Sequence, residues 1–357
     1  MNRHIKIKSK KNMVSIIIPS YNRREDLDIC ITSIFKQSYK HKEVILVDDN
    51  SSDDSVVYIK KKFPIVRIFV NSKNKGPNYS INRGISNSLG EYILVLDSDV
   101  KMTNKNHIHN MVKIASSDKN IGSIGGSFIP GDPRTRSCGL RKVVFFDEKV
   151  SNIRKYGCSL MECDWVGTNN MFVKKKRLLE TGGLDESIKG DWNETEFGLN
   201  LKQKGYVNLF GPDIALKHFH SETERDNIGI QLNTKKESEK ARVRSLCKNR
   251  QRLRYVIKNY QIIKNKRKLI KNILWEYTSL PSNIISVLAF IKQQFFGMRK
   301  GDNLEKMSFK KKIKILSSKI KRCFLSIRFP FDAVFWNLFH LRETIRSRKT
   351  NFLENHE

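Results

Sequence analysis

Among the six cysteines, Cys30, Cys138, Cys158, Cys163, Cys247 and Cys323, there is no Cys-x-x-Cys pair and no metal-finger spacing. That excludes a zinc-finger module, and thiols set in apolar runs read as reduced and structural, as in a cytosolic compartment. Long hydrophobic runs are missing too. The longest uncharged stretch, Tyr277 to Ile291, contains Thr, Ser, Pro and Asn and falls short of a membrane span. Near the basic opening residues, the apolar run Val14 to Ile18 is interrupted by Ser15, too short for a secretory h-region, so no signal peptide is expected. Acidic residues are scarce: 36 Asp plus Glu stand against 68 Lys plus Arg, a net charge of +32. Such an excess suits phosphorylated substrates, an acidic membrane leaflet or nucleic acid, with a Lys- and Asn-rich codon bias as the plain alternative. No aromatic-bearing RNA-binding motif accompanies it, which counts against nucleic acid.

What is present is a chain of 357 residues with 39% hydrophobic content, enough for one large or two medium domains with a buried core. After the basic leader, 1–12, VSIIIPSYNR reads as a buried strand stopped by Pro19. Leu27, Ile31, Ile34 and Phe35 then share one helical face. EVILVDDNSSDDS repeats the strand pattern and ends in acids. A basic helix to Lys62, the strand VRIFV, a helix from Pro77 and the strand EYILVLDSD follow. Continuous apolar strands alternating with amphipathic helices argue an α/β fold with a mostly parallel, Rossmann-like sheet flanked by helices. Ligands of such sheets bind beyond the carboxyl ends of the strands. Three of these ends carry Ser20-Tyr21, Asp48-Asp49 and Asp97-Ser98-Asp99, which should meet on one rim.

The pattern changes from about Cys163. WVGTNNMFVKKKRLLETGGLDE reads as strand, short helix and Gly-Gly turn, NETEFGLNLKQKGY as a helix ended by Gly205, and VNLFGPDIALKHFH as strands ending in histidines. Beyond a boundary near 225 the chain is expected to be mainly helical and basic, and about +20 of the net charge lies from Ser221 onward. Segments such as FKKKIKILSSKIKRCFLSIRF alternate apolar and cationic residues in the manner of membrane-surface helices, or of a helical subdomain packed on the core.

Two carboxylates two apart after a buried strand, Asp97 and Asp99, suit a hard divalent cation that bridges phosphates, and they suit a capping Asp with a solvated neighbour equally well. Asp48 and Asp49 can cap the turn through Asn50-Ser51-Ser52 or accept hydrogen bonds from a base or ribose. Glu194 can be a general base or a first-turn acid favoured by the helix dipole. His218 and His220 flank Phe219 and face one side of a strand. His107 and His109 fall in a polar segment and are expected at the surface. Trp165 and Trp192 can stack on a sugar ring or simply pack in a core.

In order and spacing, SIIIPSYNR, EVILVDDNSSDDS, GEYILVLDSD, GTNNMFVKKKRLLETGGLDES and WNETEFGLNLKQKGY resemble the inverting family 2 glycosyltransferases of GT-A fold. The resemblance runs from Val14 to about His220. It implies a GT-A domain over 13–225, a basic helical region over 226–357, and transfer of a sugar from a nucleotide-diphosphate sugar to a glycan or lipid-linked acceptor. Pro19, Tyr21, Asn22, Arg23, Asp48, Asp49 and Asp97 would contact the nucleotide sugar. Asp99, with Asp97, His218 and His220, would hold Mn2+ or Mg2+. Glu194 would be the base, with Asp191 as runner-up, and Trp165, Gly167, Asn170 and Trp192 would face the acceptor. The place implied is the cytoplasmic face of an anionic membrane, peripherally bound. Ile81, Asn193 and Asn200 depart from the family's usual Arg, Glu and Arg. Those departures keep open a catalytically silent glycan- or membrane-binding protein on the same scaffold.

Overall fold

The computed structural model describes residues 9–128, 152–155, 158–187, 193–218, 253–254, 257–258 and 334–346. The chain divides into two compact units, one of residues 1–238 with 349–357 and one of residues 239–348.

The first unit opens with β1 (Lys10–Ser20), α1 (Arg24–Phe35), β2 (Lys42–Asp48), α2 (Ser55–Lys62), β3 (Arg67–Val70), α3 (Pro77–Ser86) and β4 (Gly90–Leu96). β1 lies parallel to both β2 and β4, and β2 lies parallel to β3. The strands read as continuous apolar runs because both faces of this sheet are covered. Along β1, Ile16 and Ile18 point to the face packed by Leu27, Ile31 and Ile34 of α1, whereas Ile17 points to the face packed by Ile81 and Ile85 of α3. The interrupting Ser15 has a local reason. Its hydroxyl donates to Glu43 Oε1 at 2.6 Å and accepts from Gly90 N at 2.8 Å, tying three strands at their starting ends.

β5 (Val100–Lys101), α4 (His107–Ser117), β6 (Ile121–Phe128), β7 (Asn152–Lys155), β8 (Cys158–Cys163), β9 (Asn170–Lys174), α5 (Lys175–Thr181), α6 (Asn193–Gln203) and β10 (Val207–His218) complete the sheet. Among the described residues its order is β3-β2-β1-β4-β9-β6-β10-β8-β7, with β5 on β10. β9 is antiparallel to both β4 and β6, so the sheet is mostly parallel on one side and mixed on the other. This is the expected α/β architecture.

Two expectations change in this half. His107 is buried at 2% exposure, not at the surface. It opens the amphipathic helix α4, whose Ile108, Met111 and Ile114 also face the core. Asn170 was placed in an acceptor-side loop, yet it starts β9 and is buried. Its Oδ1 meets His107 Nε2 at 3.1 Å and its Nδ2 donates to Ile214 O at 3.1 Å. A side chain fully used inside the sheet is not available to an acceptor.

Among the described residues no helix is long and apolar enough to cross a membrane. In the second unit, residues 334–339 are helical and lead into α7 (Leu341–Arg346). The other basic segments of the carboxy-terminal region lie outside the described residues.

Candidate active site

The rim forms where β1, β2 and β4 end. Register pairs Ser20 with Asp48, and Asp49 N donates to Ser20 O at 2.8 Å. The loops that follow are laced together. Asn22 N donates to Ser51 Oγ at 2.9 Å, and Asn22 Oδ1 accepts from Ser52 N at 2.8 Å. Asn22 and Asn50 both adopt left-handed backbone, with φ of 51° and 66°. Asn tolerates that conformation better than most residues because its short polar side chain bonds locally. Tyr21 stands exposed beside them, Pro19 is half-buried, and Arg23 pairs with Asp26 at 3.2 Å.

The two acids at the end of β2, Asp48 and Asp49, are both buried and do different work. Asp48 holds its own turn, accepting from Ser51 N at 2.9 Å and Ser51 Oγ at 2.5 Å. Asp49 reaches across the rim. Its Oδ1 accepts from Asn71 Nδ2 and Lys75 N, and its Oδ2 accepts from Gly76 N, each at 2.8 Å. Gly76 has a φ of +91°, a conformation a side chain would resist, and Pro77 after it starts α3. Asn71 is oriented in turn by Arg83, whose Nη1 donates to Asn71 Oδ1 at 2.7 Å and to Val70 O at 2.6 Å. Ile81 is buried in the apolar face of the same helix. Sequence reasoning passed over Asn71. The available signal was that VRIFV is followed at once by a polar residue, on the same rim as the other strand ends.

The carboxylates after β4 meet a residue from far along the chain. β10 pairs His218 with Val100, which sets the imidazole beside the acids. His218 Nε2 lies 3.3 Å from Asp99 Oδ1 and 3.9 Å from Asp97 Oδ2. One ligand atom from each of the three residues falls within 4.8 Å of the others. Two carboxylate oxygens and an imidazole nitrogen are a donor set that a divalent cation such as Mn2+ accepts. The acids differ in setting: the Asp99 side chain is 8% exposed and that of Asp97 is 41% exposed. The inner acid is thus fixed and the outer one is open to a ligand. Cys30 lies behind this site with Sγ 3.7 Å from Asp97 O, and burial, then the charges of Asp99 and Asp97, push its thiol pKa strongly up. It remains a neutral, packed thiol.

Glu194 is half-buried in the first turn of α6, and Thr195, Glu196 and Phe197 beside it are buried. That helix sits close to the segment bearing Trp165 and Gly167. Asn208 Nδ2 bridges Asp164 O and Gly198 O, each at 2.9 Å, and Lys202 Nζ meets Asp164 Oδ1 at 2.7 Å. A Cβ on Gly198 would lie 2.5 Å from Trp165 Cβ, so the approach needs glycine there. Asp191, Trp192 and His220 lie outside the described residues.

Comparison with known proteins bears on the sequence and the fold. Residues 15–164 match the family described as Glycosyl transferase family 2. It is 27% identical over 229 residues to an uncharacterized glycosyltransferase of Haemophilus influenzae, a match covering 63% of this chain and 74% of that one. It is 39% identical over 90 residues to the GalNAc(5)-diNAcBac-PP-undecaprenol beta-1,3-glucosyltransferase of Campylobacter jejuni, covering 24% of this chain and 29% of the relative. For several curated relatives the match spans a third of their length or less, for example 14% and 31%. Among solved structures, the mannosyltransferase PcManGT from Pyrobaculum calidifontis, in complex with GDP-Man and Mn2+, aligns over 91% of this chain and 86% of its own. Its TM-score of 0.55 at 14% identity reflects a shared GT-A fold. The segment matched and the fold shared are both those of glycosyltransferases.

Proposed function

We propose that residues 13–225 transfer a sugar from a nucleotide-diphosphate sugar to a saccharide or lipid-linked glycan, with inversion at the anomeric carbon. The observation that carries this reading is the cluster of Asp97, Asp99 and His218 on the nucleotide rim of a family 2 chain. Asp99 and His218 would hold Mn2+ or Mg2+, with Asp97 turned towards the sugar or ribose and His220 as a further ligand. Such a cation, when bound, neutralises the charge that grows on the departing diphosphate.

The remaining work falls to this chain's own residues. Pro19, Tyr21, Asn22 and Arg23 line the nucleotide side. The carboxylates of Asp48 and Asp49 hold the two loops between which the base sits. Glu194 takes the proton of the acceptor hydroxyl as that oxygen attacks the anomeric carbon from the face opposite the diphosphate. The bond to the diphosphate breaks in the same displacement, so no covalent enzyme intermediate is needed. Asp191 is the second candidate for this base, and Trp165, Gly167 and Trp192 face the acceptor. The Campylobacter relative's name describes an undecaprenol-linked substrate, and the excess of basic residues after 220 suits an anionic leaflet. Both favour a lipid-linked acceptor and a peripheral place at the inner face of the cell membrane.

The test is a panel of nucleotide sugars with purified protein, with and without Mn2+ or Mg2+. Metal-dependent binding and release of nucleoside diphosphate are expected. Nucleotide affinity that does not change with metal, together with no turnover of any donor, would mean a catalytically silent scaffold.

A further inference from the structure

The helical stretch 334–346 is built inside out. Asn337 and Thr344 are buried, and so are Arg254 and Lys258 of the same compact unit. Arg254 stands 5.9 Å from the Trp336 ring and 3.6 Å from Glu343 Oε1. Five apolar residues, in contrast, face outward: Phe335 is 58% exposed, Leu338 61% and Phe339 85%, with Val334 and Leu341 also exposed, while Trp336 is half-buried. Phe335, Leu338, Phe339 and Arg342 recur at i, i+3, i+4 and i+7, which places them on one side of a helix. Backbone bonds from His340 N to Trp336 O at 3.1 Å and from Thr344 N to His340 O at 2.9 Å carry the helical ladder through the turn at His340. The stripe is therefore continuous, with the exposed cation Arg342 at its end.

Soluble proteins seldom present two neighbouring phenylalanines and two leucines to water on one short helix. We infer that this face docks onto an anionic lipid surface. Charge complementarity selects that occupant. The chain from Ser221 onward carries about +20, so bringing an acidic or apolar protein surface to the helix is not required to satisfy it, and a negatively charged leaflet is attracted as a whole. A second copy of the chain would bring an equal positive charge against the first and is disfavoured for that reason. Apolar side chains that enter the boundary between headgroups and acyl chains, with Arg beside the headgroups, are the recognised chemistry of an interfacial helix. The idea deepens the peripheral-membrane part of the proposed function by naming the contact, and it does not depend on which sugar is transferred.

The experiment is flotation of the full chain with phosphatidylcholine vesicles with and without phosphatidylglycerol. It compares wild type with a triple variant carrying Phe335→Gln, Leu338→Gln and Phe339→Gln. Gln keeps helix propensity, and side chains this exposed contribute little to packing, so the melting temperature should stay within a few degrees. Wild type should float with the anionic vesicles and much less with the neutral ones. The variant should lose about an order of magnitude of its anionic-vesicle affinity, and Arg342→Gln should lose less. Vesicle binding equal in wild type and variant would overturn the assignment, as would binding that ignores lipid charge. A dimer in light scattering that the triple variant abolishes would replace the lipid with a second copy. Release of nucleoside diphosphate in solution, measured on the same samples, separates this inference from the catalytic one: its loss in wild type would strike the transferase reading and leave the lipid contact standing.

Discussion

Replacing Asp49 by Asn tests whether one buried carboxylate clips the rim of the sheet together. In the wild type it accepts three N–H groups, two on Oδ1 and one on Oδ2, all at 2.8 Å. Asn preserves the shape and one acceptor oxygen. With that oxygen towards Asn71 and Lys75, its amide NH2 faces Gly76 N–H, so one charge-assisted bond becomes two donors in contact. A lost bond to a charged group removes about 1.5–3 kcal/mol, and the buried donor left unpaired adds about 1–3 kcal/mol, partly relieved by local movement. The expected loss is about 2–4 kcal/mol, and Asp49→Ala, which orphans all three donors, should lose more. Urea denaturation would report the stability, and amide exchange at Lys75 and Gly76 would report the local opening. Those amides should exchange faster in Asp49→Asn, and nucleotide affinity should fall with them. A loss below about 0.5 kcal/mol, the range of an ordinary surface substitution, with unchanged exchange at Gly76, would refute the clip.

The other expectations concern separate parts of the molecule. Burial holds the His107 pKa down from 6.5 to about 4. The unfolded chain therefore binds one more proton between those values, so stability is full above about pH 6.5 and falls as the pH drops towards 4. The span is worth about 3 kcal/mol, and acid melting curves of His107→Gln should lack that part of the slope. Gly198→Ala drives a methyl group against Trp165 Cβ at 2.5 Å and should destabilise by about 1–3 kcal/mol in chemical denaturation. His218→Ala should weaken Mn2+ binding by more than about tenfold in calorimetry, and an unchanged affinity would remove His218 from the metal site. Glu194→Gln should lower kcat by about 10²–10⁴ with donor binding retained. Full activity would leave Asp191 as the base.

The parallel half of the fold could be read from the chain because each strand there is covered on both faces. Val14 to Ile18, Val44 to Val47 and Tyr92 to Leu96 need uninterrupted apolar residues, and each run stops abruptly where the chain reaches the rim. The meeting of Asp97 and Asp99 with His218 at the end of β10 was an expectation of the family resemblance, and the strand pattern alone left it open. What escaped was decided by partners far away in sequence. His107 looked like a surface residue because its neighbours are polar, and only Asn170, on a strand inserted antiparallel beside β4, gives its ring an inside partner. Asn170 was misplaced for the same reason, since Gly-Thr-Asn-Asn reads as loop until β9 is paired. Asp48 and Asp49 were ambiguous as a pair, and geometry separates them: one folds back on its own turn while the other crosses to α3. The inverted helix at 334–346 has no local signature at all, because nothing in its periodicity says which face is covered.

The register of β10 has a consequence for assembly. Both acids of the candidate metal centre lie in the turn between β4 and β5, early in the chain, but the imidazole joins them only when β10 has docked on β5 and aligned His218 with Val100. A half-built sheet thus offers a cation two carboxylates and no third partner. If the cluster holds a cation, tight capture would be a late event, coupled to completion of the mixed half of the sheet, and the cation would in turn fasten β10 to the end of β4. The ion would then act as a rivet that closes the fold as well as a reagent that serves the donor.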